Sequence, residues 1–368
     1  MQSLKTMCWL VVLGLSLVSA SRLADACPVC INSPQKTVAD FLIESPCVVF
    51  ARENSDQPFS YAPVEVVKGN IHGKQIDLFV DTSTRKILAA DAELVVLLAE
   101  DVTDGSWRSL GQLDPMYAAV VRRIIALTPD WQGKNGQQRR VEFFAKLFGH
   151  ENPAVYEQAY LEMGRAPYGF IRQFSRIVPR DQIEPILTRR QYIGWRSLAI
   201  LMLAHGGEVN GREYIADSFR HAARFRLTTN LAAWAAASIE LEGEDAIVFI
   251  ENQYFRNVER TVEELTEVVK ALSMHGTEGH TQLRDQIVAS YGVLLDVYPD
   301  MAPFVARDLL AWKRFELIQQ LSTIEATHAN LDYAAKKTCR QYLQFTAASN
   351  TLHEKTIGSS PANINVID

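Results

Sequence analysis

The stretch WRSLAILMLAHGGEVNGREYI, residues 195–215, decides how the larger part of this chain is read. Residues 195–204 are apolar on nearly every side of a helix, so that helix must be covered on both faces. Gly206 and Gly207 stop it, and a polar break leads into another helical segment. LAAWAAASIEL, residues 231–241, repeats the pattern and stops at Gly243. A third stop falls at Gly276. The stops Gly207, Gly243 and Gly276 are 36 and 33 residues apart. A period near 35 with two helices per unit marks an α-solenoid, whose units bury their apolar faces only by stacking.

The helical pattern extends outward from there. Val141, Phe144 and Phe148 share one helix face, and Val262, Leu265, Val269 and Leu272 share another. The helical repeat domain is expected over residues 139–325. A further helix is expected over about 332–345, and the tail ending in GSSPANIN is expected to fray, together making up residues 326–368.

Before residue 130 the texture differs. Short apolar, β-branched runs cover residues 47–51, 61–67, 76–80 and 94–98. Turn formers such as Asn54-Ser55-Asp56, Gly69-Asn70 and Asp104-Gly105 separate them. A short helix is expected over residues 37–44, and Asp114-Pro115 opens another to about Leu127. The expected fold class is therefore α+β and multidomain: a small five-stranded β-barrel over residues 27–130, a linker over 131–138, then the α-solenoid.

The N-terminus reads as an address. Lys5 precedes MCWLVVLGLSLV, residues 7–18, an apolar run of twelve residues where a bilayer span needs roughly 20. Cleavage after Ala20 or Ala26 fits the small-x-small rule, and the second makes Cys27 the mature N-terminus. Residues 1–26 are thus expected to be a signal peptide, the protein exported to the periplasm or outside, with no membrane span left. The net charge of -6 supplies no basic excess for phosphates, so nucleic acid is not an expected partner.

Chemistry-bearing residues are few. Cys27-Pro28-Val29-Cys30 lacks the histidine a c-type haem needs, and no second paired cluster completes a zinc site. A redox pair and structural disulfides remain, and the oxidising compartment favours disulfides. Cys27, Cys30, Cys47 and Cys339 allow three pairings. A bond from the pair to Cys47 would close a loop of roughly 20 residues, worth about 3 kcal/mol, and pin the N-terminal strip to the first strand. His275 and His280 bracket a glycine-rich turn and are weak metal candidates, a polar interhelical turn being preferred. Glu240, Glu242 and Glu244 read as a solvated turn. No hydrolase, kinase or dinucleotide motif is present, so neither a catalytic residue nor a cofactor is expected.

Two resemblances add to this. Cys27, Cys30, Val48, Ala51, Val64, Val67, Lys68 and Gly69 follow an order similar to the netrin-like module, the OB-type barrel of tissue inhibitors of metalloproteinases. That resemblance implies an OB-like fold over about residues 27–127, and a metalloprotease inhibitor if the amine of Cys27 is free to chelate zinc. HENPAVYEQAYLEMGRAPY, residues 150–168, and residues 195–215 resemble HEAT-like repeats, and the whole resembles exported bacterial proteins with such repeats. The expected function is an exported, non-catalytic scaffold that binds a protein or peptide on the concave face of residues 150–320. The alternatives are a thiol-disulfide redox protein and a protease inhibitor.

Overall fold

Thr37 opens the first helix, α1 (Val38–Glu44), through a capping box. Its hydroxyl accepts from the Asp40 N–H, and the Asp40 carboxylate accepts from the Thr37 N–H. These elements belong to a computed structural model that describes residues 27, 29–30, 36–206 and 209–357. The expected signal segment, residues 1–26, lies outside the described residues, as does the tail from 358.

After α1 the chain enters β1 (Val48–Glu53), buried over its first four residues because it is a central strand. β1 pairs antiparallel with β2 (Tyr61–Lys68) and β3 (Val95–Glu100), and β3 pairs with β4 (Trp107–Leu113). The order is β2-β1-β3-β4, an open sheet. This corrects the expected five-stranded closed barrel. Residues 76–80 contribute only an isolated bridge, Ser60 to Phe79. The reason lies one residue on, where Asp81 accepts from the N–H groups of Ser83 and Thr84. That N-cap turns the chain into α2 (Thr82–Ala90) before a strand can extend.

The Lys68-Gly69 pair has a structural task. Lys68 Nζ donates to the Leu42 and Ile43 carbonyls at 2.9 and 2.8 Å, capping the end of α1. Gly69 sits at φ +76°, where a Cβ would lie 2.1 Å from the Pro46 carbonyl oxygen.

Asp114 caps α3 (Pro115–Trp131), which lies over the sheet. Val48, Phe50, Leu97 and Leu113 pack there with Tyr117, Val121 and Ile124. The same core continues into Phe144 of α4 (Gly136–Ala145) and Val155 of α5 (Pro153–Gly164). The break expected as a linker is only residues 132–135. Helix α1 is tied to α4 and α5 across it by a buried ionic web. Arg140 donates to Glu162 at 2.7 Å and to Asp40 at 2.7 Å, and Arg165 also pairs with Asp40. Burial alone would raise the Asp40 carboxyl, but the Thr37 N–H and the two arginines outweigh it and hold it low.

The rest of the chain is helical: α6 (Tyr168–Phe174), α7 (Arg180–Thr188), α8 (Arg196–His205), α9 (Val209–Phe225), α10 (Leu231–Glu242), α11 (Glu244–Ile250), α12 (Val262–Thr277), α13 (Arg284–Val297), α14 (Ala302–Trp312), α15 (Ile318–Thr327) and α16 (Tyr333–Ile357). Helices α8, α10, α12, α14 and α16 pack each against the next as one row. Behind them stand α9, α11, α13 and α15, tied by Phe219 against Phe249, by α11 against α13, and by Gln320 donating to the Gly292 carbonyl. The two all-apolar helices are covered as expected: residues 198–204 are all buried, and so is α10 through Ile239 apart from Trp234. α16 runs to Ile357, twelve residues past its expected end. Among the described residues, sixteen α-helices outweigh one small sheet, and no helix is long and apolar enough to cross a membrane.

Candidate functional site

The row of helices ends on a buried polar cluster. His205 is the last residue of α8, Glu240 lies in the last turn of α10, and His275 in the last turn of α12. Their side chains meet because the three helices are neighbours in the row. The Glu240 side chain is only 8% exposed, which corrects its reading as part of a solvated turn. Glu242 and Glu244 are exposed, as expected.

The two carboxylate oxygens of Glu240 divide their partners. Oε1 accepts from Arg172 Nε at 3.1 Å and faces His205 Nδ1 at 3.5 Å. Oε2 accepts from the Tyr168 hydroxyl at 3.0 Å and lies 3.1 Å from His280 Nε2. Arg172 and Tyr168 reach it from the same face of α6, one turn apart. Glu278 accepts from the Tyr168 N–H at 2.7 Å and so fixes the start of α6.

His275 is fully buried, and its Nε2 lies 2.8 Å from the Ala236 carbonyl. A carbonyl only accepts, so Nε2 carries the proton and Nδ1 is a bare lone pair. Nδ1 has no hydrogen-bond partner, nor has Nε2 of His205. Burial pushes both histidines down to about 4, so both are neutral near pH 7. The His280 ring stacks on His275 with centroids 5.5 Å apart. Glu240, His275 and His280 offer ligand atoms within 4.8 Å of one another. The turn expected to be merely polar therefore closes over a buried carboxylate. Sequence reading missed Tyr168, Arg172 and His205.

Of the three pairings left open for the four cysteines, one bond is formed. Cys27 and Cys30 pair with each other, while Cys47 and Cys339 are free and buried. The bond to Cys47 is not formed, because that residue packs in the sheet with Val49 and Leu98. Cys27, Val29 and Cys30 instead sit in the helical core. Cys27 N–H donates to the Ala166 carbonyl at 3.3 Å, and Cys27 Sγ lies 3.7 Å from Met274 Sδ, next to His275. Cys27 and Cys30 are 2% and 0% exposed. Burial raises the free thiols, that of Cys339 to about 11.

His205 also lines a cavity of about 550 Å³ with Arg176, Ile183 and Leu203. A second cavity of about 440 Å³ shares Arg180 and Leu203 with it and reaches Arg189 and Tyr214. A third, of about 400 Å³, shares Tyr214 and runs to Leu227 and Trp234. The shared lining residues place the three cavities side by side along α7, α8 and α9. No protein-family model matches the chain, and no curated protein or solved structure shows significant similarity to it.

Proposed function

We propose that the protein is an exported, non-catalytic binding scaffold whose two rows of helices, read as HEAT-like repeats, hold an extended segment of a partner protein. The three cavities along α7, α8 and α9, read as one groove, carry this reading. This groove suits successive side chains of one peptide better than a single compact ligand. Its walls are apolar at Ile183, Leu203 and Trp234, which favours apolar anchors. Arg176 and Arg189 line it without an ion pair among the described residues, while of its acidic lining Glu184 and Asp217 are paired with Arg180 and Arg220 and Asp181 stands as a single opposing charge. That charge favours a partner whose anchors are flanked by Asp or Glu.

The alternatives based on Cys27 need its sulfur or its main-chain amine within reach of another molecule. Both are engaged inside the helical core, which supports a stapling role for the disulfide. Binding of a library of extended peptides by the full chain tests the proposal. Acidic-flanked apolar peptides should be retained, and Tyr214→Asp with Leu227→Asp should abolish retention without unfolding, since both side chains are exposed. A double variant that retains them undiminished would count against it.

A further inference from the structure

From this geometry we infer that Glu240, His275 and His280 form a site for a divalent metal ion of the zinc class. This goes beyond scaffolding and does not depend on it.

The donor set is two imidazole nitrogens and one carboxylate oxygen, which suits zinc better than calcium or magnesium. Ligands of one zinc ion stand about 3.4 Å apart when each bond is about 2.0–2.1 Å. The three donors already lie within 4.8 Å of one another, and Glu240 Oε2 is 3.1 Å from His280 Nε2. Small side-chain rotations complete the set. The bare Nδ1 of His275 is the independent sign of a ligand. A buried nitrogen lone pair without a donor is costly, and a metal satisfies it. The contact that leaves it bare, Nε2–H to the Ala236 carbonyl, is the outer contact by which proteins orient metal-binding histidines. His280 has a matching one. The Gln282 amide lies 2.9 Å from its Nδ1 and can turn its oxygen to accept from that nitrogen once Nε2 is committed to metal.

The surroundings carry both signs, with the Arg172 guanidinium against Glu240 and three helix ends opposing it. The C-terminal ends of α8, α10 and α12 converge here, and their partial negative charge favours a cation. Arg172 sits on the opposite oxygen of Glu240, so Oε2 would be shared only between the metal and the Tyr168 hydroxyl that donates to it. Gly279 keeps the approach clear, since a Cβ there would come within 2.5 Å of His275 Nδ1. His205, with its own unpartnered Nε2, stands behind Glu240 and is a positioning residue.

The test uses the full chain, purified without a histidine tag and stripped with a chelator. Zinc is then titrated against a colorimetric zinc indicator, and cobalt(II) is added separately as a spectroscopic probe. The expected result is one zinc per chain and an intense visible cobalt band of a four-coordinate site. His280→Ala and Glu240→Gln should each weaken zinc at least tenfold, while His72→Ala on an exposed turn should leave it unchanged. His280 lies in a surface turn, so its loss is tolerated even if His275→Ala fails to fold. No zinc retained against the indicator, or equal binding by the His280 and Glu240 variants, would overturn the assignment.

Discussion

His275 donates through Nε2 to the Ala236 carbonyl at 2.8 Å, one helix across, and this bond fixes which form of the imidazole the fold accepts. Protonating Nδ1 would place a charge in a fully buried site beside Tyr168, His280 and Arg172, and burial outweighs the help of the Ala236 carbonyl and Glu240. His205 faces Glu240, Arg172 and Arg176 under the same constraint. Both folded-state values, about 4, lie below the ordinary 6.5. The unfolded chain therefore binds protons that the folded chain refuses between these limits. Stability is full above about pH 6.5 and falls as pH drops toward 4, by up to about 3 kcal/mol for each histidine. Urea midpoints measured on metal-free protein from pH 7.5 to 4 check this; a flat profile would contradict it.

Arg140 ties α1 to α5 through Asp40 and Glu162. Replacing it by methionine keeps the volume but leaves Asp40 and Glu162 without their shared cation, although Arg165 still reaches Asp40. Breaking one side of such a buried web costs about 3–5 kcal/mol. Denaturant unfolding of Arg140→Met should show that loss, whereas Arg122→Met at an exposed pair with Glu65 should cost under about 1 kcal/mol.

Thiol accessibility separates staple from reagent. Alkylation of the native protein should label none of Cys27, Cys30, Cys47 and Cys339, since all four are buried. After denaturation without reductant, Cys47 and Cys339 should react, and Cys27 and Cys30 only after reduction. Peptide mass mapping reads each site. The pair closes a very short loop, so Cys27→Ser with Cys30→Ser should cost roughly 2 kcal/mol in the chain-entropy picture. Labelling of Cys27 in the native protein would show that its sulfur is available.

Gly69→Ala should be severe for its size. The side chain meets both an unfavourable φ of +76° and the Pro46 carbonyl, so β2 must shift off the end of α1. A loss of about 2 kcal/mol or more, read by thermal unfolding, is expected; a neutral variant would mean the turn relaxes freely.

Much of this was legible in the chain and some was not. Apolar periodicity locates the helices because packing follows local pattern, and the apolar stretches at 198–204 and 231–239 are the first two helices of the row. The sheet was harder. WRSLGQL, residues 107–113, carries too few apolar residues to announce β4, which is a strand because β3 offers it an edge. α2 carries its own signal, Asp81 before Ser83 and Thr84. The buried cluster was also written in the sequence. His205, Glu240 and His275 follow one another at 35-residue intervals, as do the bonded pairs Ser273–Asp308 and Thr277–Trp312. A repeat places such residues at the same height on neighbouring helices, so polar residues recurring at the period meet. Tyr168 and Arg172 lie outside that period and come in through α6, which no local pattern could reveal.

The groove can be interrogated in living cells. A photo-reactive amino acid in place of Tyr214, at the wall shared by two cavities, is compared with the same amino acid in place of Val102, an exposed position on the sheet module. A peptide-binding groove gives one discrete cross-linked protein from position 214, joined through an acidic-flanked apolar segment, and none from position 102. Identical adducts from both positions, or none from either, would contradict it.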